Sequence, residues 1–366
     1  MKIKSYAKEY EVIMENGPEF LKGFNLGKNT YYVIDKNVYE LYEDNFAALP
    51  KERLYLLEAT ENNKTIETAL DICEKMTALS GKRNAVIFSV GGGITQDITG
   101  FVANVLYRGI HWIFVPTTLL AASDSCIGSK TSLNYKSYKN LLGTFYPPDE
   151  IHICPKMFAT LKTRDYLSGL GEVVKFNIMA ADNTLSDSCS LDLIEADIER
   201  LINREPELVA EYVSRSLSFK KSYIEADEFD LGVRIHLNFA HTFGHAFEAI
   251  TNYAIPHGTA VAMGMIMAND VAYERGNINE EIRHRMDGLL TRIIDLKLLE
   301  KENGFAGLDT FDMAEILDKI KKDKKQTDDA ITAVIFADDT LKLEVVHDVK
   351  AEEVKNAYGH LVEVLK

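Results

Sequence analysis

A chain of 366 residues with 46% hydrophobic content can bury substantial cores, and its length favours two domains. A net charge of −15 and a pI near 5.1 exclude nucleic acid and anionic membrane as main partners, so any anionic ligand needs a local basic cluster. Cys73, Cys126, Cys154 and Cys189 lack CxxC spacing, the start MKIKSYAKEYEVIMENG lacks a signal-peptide pattern, and no long apolar run occurs; the expectation is a cytoplasmic protein with free thiols and no membrane span.

In chain order, TYYVIDK, RLYLLEA, NAVIFSV, HWIFVPTT and EIHICP read as strands, being short runs rich in β-branched and aromatic residues. KTIETALDICEKMTAL reads as an amphipathic helix among them, and this βαβ rhythm predicts a parallel sheet. Asp35 closes the first of these strands, while Glu61 and Lys64 follow the second, positions that in α/β proteins commonly face a nucleotide. Gly91, Gly92 and Gly93 stand between NAVIFSV and the expected helix DITGFVANVLY. Glycines there let backbone approach a phosphate, and the helix N-terminus adds unpaired N–H groups, although GxGxxG is absent. Asp97 is expected on the first helical turn, either capping it or bonding a ribose or substrate hydroxyl. A polar, lysine-bearing island, DSCIGSKT, follows at 124–131.

Past residue 160 the strand signal fades. LSGLGEVVKFNIM, LVAEYVSRSLSFKKSYIEAD and NEEIRHRMDGLLTRI have helical periodicity, and ITAVIFA and LKLEVVH return as late strands. The change of period puts a domain boundary there, giving domains of residues 1–160 and 161–366. Within the second, NFAHTFGHAFEAITNYAIPHGTAVAMG sets His241 and His245 one helical turn apart, on one face. Pro256 breaks the pattern before His257, which allows the chain to turn back toward the pair. Glu172 and Lys175 of SGLGEVVKF are helix neighbours, and a carboxylate beside two imidazoles is a catalytic zinc set with an open position. Spacing alone leaves the three histidines equivalent.

Together these islands resemble the 3-dehydroquinate synthase family of sugar phosphate cyclases. The resemblance runs in order along nearly the whole chain: DKN, ENNK, GGGITQDITGF, YRG, VPTTLLAASDSCIGSKT, KNLLGTFY, GLGEVVK, FKK, DEFDLGVR, LNFAHTFGHAFE and HGTAVAMGM. It implies an α/β, Rossmann-like N-terminal domain binding NAD and a mostly α-helical C-terminal domain holding a divalent metal, zinc first and cobalt as a possibility. Matched residue by residue, Glu172, His241 and His257 are the expected metal ligands, and His245, Lys175, Lys130 and Asp124 the expected catalytic residues. Arg108, Asn140, Lys220, Arg234 and Asn238 are expected to bind substrate, Arg108 by reaching the phosphate of a neighbouring subunit in a homodimer. Asp35, Glu61, Lys64, Gly91, Gly92, Gly93, Asp97, Thr117, Thr118 and Lys139 are the expected NAD contacts.

The implied reaction turns a heptulosonate 7-phosphate into a carbocycle with loss of phosphate, a step of aromatic amino acid biosynthesis by the shikimate pathway. Four positions depart from the family pattern: Ser129 where GGK is common, Tyr138 where glycine precedes KN, Thr259 where HGE is usual, and Asp230 where glutamate is frequent. Retention of Arg234, Lys220 and His245, with the basic segment at 322–325 carrying Lys324 and Lys325, argues for a carboxylate-bearing substrate. The alternatives are a cyclase for another keto- or amino-sugar phosphate, a metal-dependent alcohol dehydrogenase of the glycerol dehydrogenase type, and a non-catalytic paralogue.

Overall fold

Near-continuous apolar runs such as Tyr31 to Ile34, each at most 3% exposed, belong to strands covered on both faces, and parallel sheets demand that. In the computed structural model, strands β1 (Lys2–Ile3), β2 (Tyr10–Met14), β3 (Thr30–Asp35), β4 (Leu54–Leu57), β5 (Val86–Gly91) and β6 (His111–Pro116) precede a hairpin, β7 (Lys130–Tyr135) and β8 (Tyr138–Phe145), and then β9 (Glu150–Ile153). The structure describes residues 1–24, 27–79, 81–136, 138–179, 191–321 and 331–366; the expected basic pair Lys324 and Lys325, and Cys189, lie outside them. The chain divides into two compact units, Met1–Leu161 with Lys221–Phe229, and Lys162–Lys220 with Asp230–Lys366.

The first unit is built on a seven-stranded sheet in the order β1-β2-β9-β6-β5-β3-β4, parallel apart from the β1–β2 pair. From β3 the chain steps outward to β4 and then returns to β5 on the other side of β3. That reversal makes the carboxyl ends of β3 and β5 a topological switch point, the place where open α/β sheets bind ligands. Asp35 ends β3, Gly91 ends β5, and Thr117 follows β6, all on this edge. All five strands expected from the apolar runs are present, as are the helices Ile66–Ala78 and Gly93–Val105. The β7–β8 hairpin, β1 and β2 were not expected. Leu133 is buried at the centre of the hairpin while Tyr138, Leu141 and Phe145 stay exposed, so its alternation is diluted by turn residues and surface aromatics.

The second unit is mostly helical, with an antiparallel pair β10 (Ile331–Phe336) and β11 (Leu343–Val349) where two late strands were expected. Its central helix, His257–Glu274, is buried from Gly258 to Ala272, hence apolar nearly all round. Two neighbouring helices meet it backbone to backbone. A Cβ on Gly171 would overlap the Gly258 carbonyl, one on Gly258 would overlap the Ser168 carbonyl, and one on Gly264 would overlap the Ala240 carbonyl. These contacts draw together the helices Thr163–Met179, His241–Ile250 and His257–Glu274. Glu172, His241 and His257 each adjoin one of the touching residues, so close packing is what brings them within reach of one another.

Candidate functional site

Glu172 is completely buried, and neither carboxylate oxygen meets a donor in good hydrogen-bonding geometry, although the Lys175 Nζ stands 2.7 Å away. A buried carboxylate in that state costs several kcal/mol, about what a nearby cation must repay. Two imidazoles face the same oxygen, His257 Nε2 at 3.3 Å and His241 Nε2 at 3.6 Å. The opposite nitrogens are engaged. His241 Nδ1 lies 3.0 Å from the Phe239 carbonyl, which can only accept, so the proton sits on Nδ1 and the Nε2 lone pair points inward. His257 Nδ1 lies 3.1 Å from Glu248 Oε2, a carboxylate–histidine pairing of the kind that orients metal ligands.

One ligand atom each from Glu172, His241 and His257 lie within 4.8 Å of one another, and the same holds for His245, Glu248 and His257. The first set matches a divalent cation with an open coordination position: one buried carboxylate with spare lone pairs and two oriented imidazoles. In the second set the Glu248–His257 contact is already a hydrogen bond through Nδ1. His245, whose ring lies 5.2 Å from that of His241 and 6.1 Å from that of His257, stands beside the first set. Packing therefore groups His241 with Glu172 and His257, and His245 with Glu248 and His257, a difference that helical spacing does not show.

The electrostatics agree for Glu172 and His241, while His257 holds a proton that a bound cation would displace. Burial would raise the Glu172 carboxyl, but Lys175, with His257 and His241 behind it, holds it well below the usual carboxylate range. Burial, reinforced by Lys175, holds His241 well below its ordinary value and so neutral. Burial opposes protonation of His257 too, yet Glu248 and Glu172 on either side raise it to about 10. Lys175 also donates to the Leu237 carbonyl at 3.1 Å, which fixes its ammonium against the carboxylate. Arg234 and Lys220 are buried in this unit, at 5% and 6% exposure, and Asn238 is half-buried at the end of the short helix Val233–Asn238.

In the first unit a second group assembles. Lys64 Nζ pairs with Asp97 at 2.5 Å and donates to Asn140 Oδ1 at 2.7 Å, while Ser132 donates to Asp97 through its amide at 2.9 Å. Glu61 accepts from Asn134 Nδ2 at 2.8 Å and meets Lys139 Nζ at 3.4 Å. Asp97 does not cap the helix. The glycines themselves open it, with Gly92 as the cap residue and Gly93 the first helical one, which leaves Asp97 a full turn further in. Gly92 lies close to Thr118, since a Cβ there would stand 2.9 Å from the Thr118 methyl and displace it. Asp35 caps the helix Lys36–Leu41 by accepting from the Asn37 amide at 2.8 Å. Asp124 is half-buried in a π-helical turn, Ala121–Ser125, Lys130 is exposed at the start of β7, and exposed Arg108 sits between Tyr107 and Gly109 in a run of positive φ.

Residues 54–168 match the family described as 3-dehydroquinate synthase N-terminal, and residues 169–326 match 3-dehydroquinate synthase C-terminal. The chain belongs to the 3-dehydroquinate synthase family. A 3-dehydroquinate synthase of Dictyoglomus thermophilum is 32% identical over 342 residues, covering 93% of this chain and 91% of the relative. One from Clostridium tetani is 33% identical over 331 residues, covering 89% and 84%. Among solved structures, 2-epi-5-epi-valiolone synthase from Streptomyces hygroscopicus, with NAD+ and Zn2+ bound, superposes with a TM-score of 0.81 at 25% identity, covering 98% of this chain and 99% of that one.

Three residues of this family member that sequence reasoning left unassigned now have a place: Glu248 behind His257, and Ser132 and Asn134 on the hairpin facing Asp97 and Glu61. Glu248 had a weak signal, three residues after His245 on one helix face. The two hairpin residues had none, because the strand carrying them was not expected.

Proposed function

We propose that this protein is a 3-dehydroquinate synthase: a phosphate-eliminating lyase that cyclises a heptulosonate 7-phosphate with catalytic NAD and a divalent cation, zinc first. The observation that carries this reading is the buried Glu172 carboxylate, faced by two inward Nε2 atoms and by the Lys175 ammonium. The overall reaction closes a carbocycle with loss of phosphate and no net change of redox state. When bound, NAD would supply a reversible hydride acceptor and the cation Lewis acidity toward vicinal substrate oxygens.

The chain's own residues then have definite tasks. Lys175 keeps Glu172 ionised, so the carboxylate is ready as a ligand without first losing a proton. Glu248 and the Phe239 carbonyl hold the rings of His257 and His241 with Nε2 inward. His245 moves protons at the substrate oxygens, and Asp124 and Lys130 bind and orient its hydroxyls and phosphate. Lys220, Arg234, Asn238, Asn140 and, from the second subunit of a homodimer, Arg108 gather the carboxylate and phosphate, the local cationic site an acidic chain needs. Asp35, Glu61, Lys64, Gly91, Gly92, Gly93, Asp97, Thr117, Thr118 and Lys139 receive NAD, on the carboxyl edge of the sheet and the hairpin beside it. The proposed location is the cytoplasm, supported by the free thiols of Cys73, Cys126 and Cys154; among the described residues no helix is long and apolar enough to cross a membrane.

Incubation of zinc-loaded protein with NAD and the heptulosonate phosphate is expected to release inorganic phosphate with no net NADH. NADH rising in step with product would assign the chain to the dehydrogenase reading. Phosphate release from another keto-sugar phosphate alone would assign it to a related cyclase.

A further inference from the structure

Ser129 stands at φ 64°, directly after Gly128 at φ 106°, and is buried at 6% exposure. A side chain in the left-handed region is strained, and such strain persists where surrounding contacts over-determine it. Here the contact is a hydrogen bond, from Ser129 Oγ to Glu228 Oε1 at 2.8 Å. The same carboxylate accepts from Ser5 Oγ at 2.6 Å and from the Tyr6 amide at 2.6 Å. Glu228 belongs to Lys221–Phe229, a segment far from the lysine loop in sequence but part of the same compact unit.

The next residue makes a second contact with the same strand ends. The Phe229 ring packs edge-on against Phe145 at 5.1 Å and against Tyr6 at 6.0 Å. Phe145 is the cross-strand partner of Lys130 in the β7–β8 ladder. Lys130 is thus held from both sides, by Ser129 before it in the chain and by Phe145 opposite it. We infer that Glu228 and Phe229 form a clasp that positions Lys130, and that Ser129 is the residue through which this chain closes it. The clasp explains why a strained serine is tolerated where the family pattern favours glycine.

The inference rests on Lys130 meeting an anionic group of the substrate, so the test separates the two claims. Ser129→Gly removes the hydroxyl while relieving the strain, so its melting temperature should hold or rise. Its KM for the heptulosonate phosphate should nevertheless rise about fivefold, with kcat within about twofold, because Lys130 is less firmly positioned for the bound anion. Glu228→Gln should raise KM similarly, and the double variant should be no worse than the poorer single one. In a Lys130→Met background neither change should add to KM. Hydrogen exchange at the Lys130 and Tyr146 amides, bonded to the carbonyls of Gly128 and Ser129, reads the clasp without substrate and should quicken in both variants. An unchanged KM for Ser129→Gly in an active enzyme overturns the inference, as does unchanged exchange. Faster exchange in a protein that releases no phosphate would preserve the clasp and reject the substrate reading.

Discussion

The helical unit contains two histidine–carboxylate clusters of similar composition and opposite character. In one, His360 Nε2 meets Asp287 Oδ2 at 2.8 Å, Arg283 meets Asp270 at 2.7 Å, and the Arg283 guanidinium lies 3.8 Å above the Tyr273 ring. Each cation there has a carboxylate. In the other, two imidazoles turn Nε2 toward one oxygen of a completely buried carboxylate. Among the described residues, the sets whose three ligand atoms lie within 4.8 Å of one another both include His257, and neither includes His360. Residue type therefore does not mark a metal site. What sets the second cluster apart is convergence on one buried carboxylate oxygen with the far ring nitrogens already bonded, an arrangement that a bound cation would stabilise.

The largest effect should come from removing one of those lone pairs. His241→Ala should abolish retention of zinc through gel filtration, measured by metal analysis, and with it turnover. His245→Ala should keep the metal and lose turnover, because that ring stands beside the Glu172 set. Equal metal loss in both variants would erase the division between the two histidines. His360→Ala should leave metal content unchanged; metal loss there would break the contrast between the clusters.

A smaller effect should follow from changing what holds a ligand rather than the ligand. Glu248→Gln keeps an acceptor for His257 Nδ1 but removes its charge, so the imidazole becomes a weaker donor to the cation. Zinc affinity, read by competition with a chromophoric chelator, should fall about 10- to 100-fold. Affinity within experimental error of the parent would show that Glu248 serves only the fold.

Much of this contrast was legible in the sequence, and the illegible part has identifiable causes. Strands with both faces buried announce themselves as apolar runs, so β3, β5 and β6 and the glycine turn after β5 were plain. The helical face carrying His241 and His245 was equally plain. Periodicity could not rank the three histidines, because the Nδ1 partners of His241 and His257, a backbone carbonyl and a carboxylate, are revealed by no spacing. The hairpin escaped because one of its faces is exposed and bears Tyr138, Leu141 and Phe145. Asp97 lies one turn deeper in its helix than the sequence suggests, because two of the three glycines, Gly92 and Gly93, are the cap and first residue of that helix. Asp270, Asp287 and His360 gave no signal, being joined only by the packing of the helices His257–Glu274, Glu280–Leu290 and Ala351–Val364.

That satisfied cluster supplies the smallest and most selective test. The hydrogen bond to Asp287 raises the His360 pKa above 6.5, against burial and the Arg283 charge, with Asp270 adding to the rise. A histidine whose folded pKa is raised contributes stability that is fully present below 6.5 and is lost as pH climbs through the folded value. Because the ring is only half-buried, the contribution should stay below about 1 kcal/mol. With zinc saturating, so that the Glu172 cluster holds a fixed charge, the urea midpoint of the wild type should decline as pH rises above 6.5. His360→Gln should flatten that part of the curve and leave zinc affinity alone. An equal decline in the variant would move the pH dependence elsewhere, and a change in zinc affinity would mean that the two clusters are coupled.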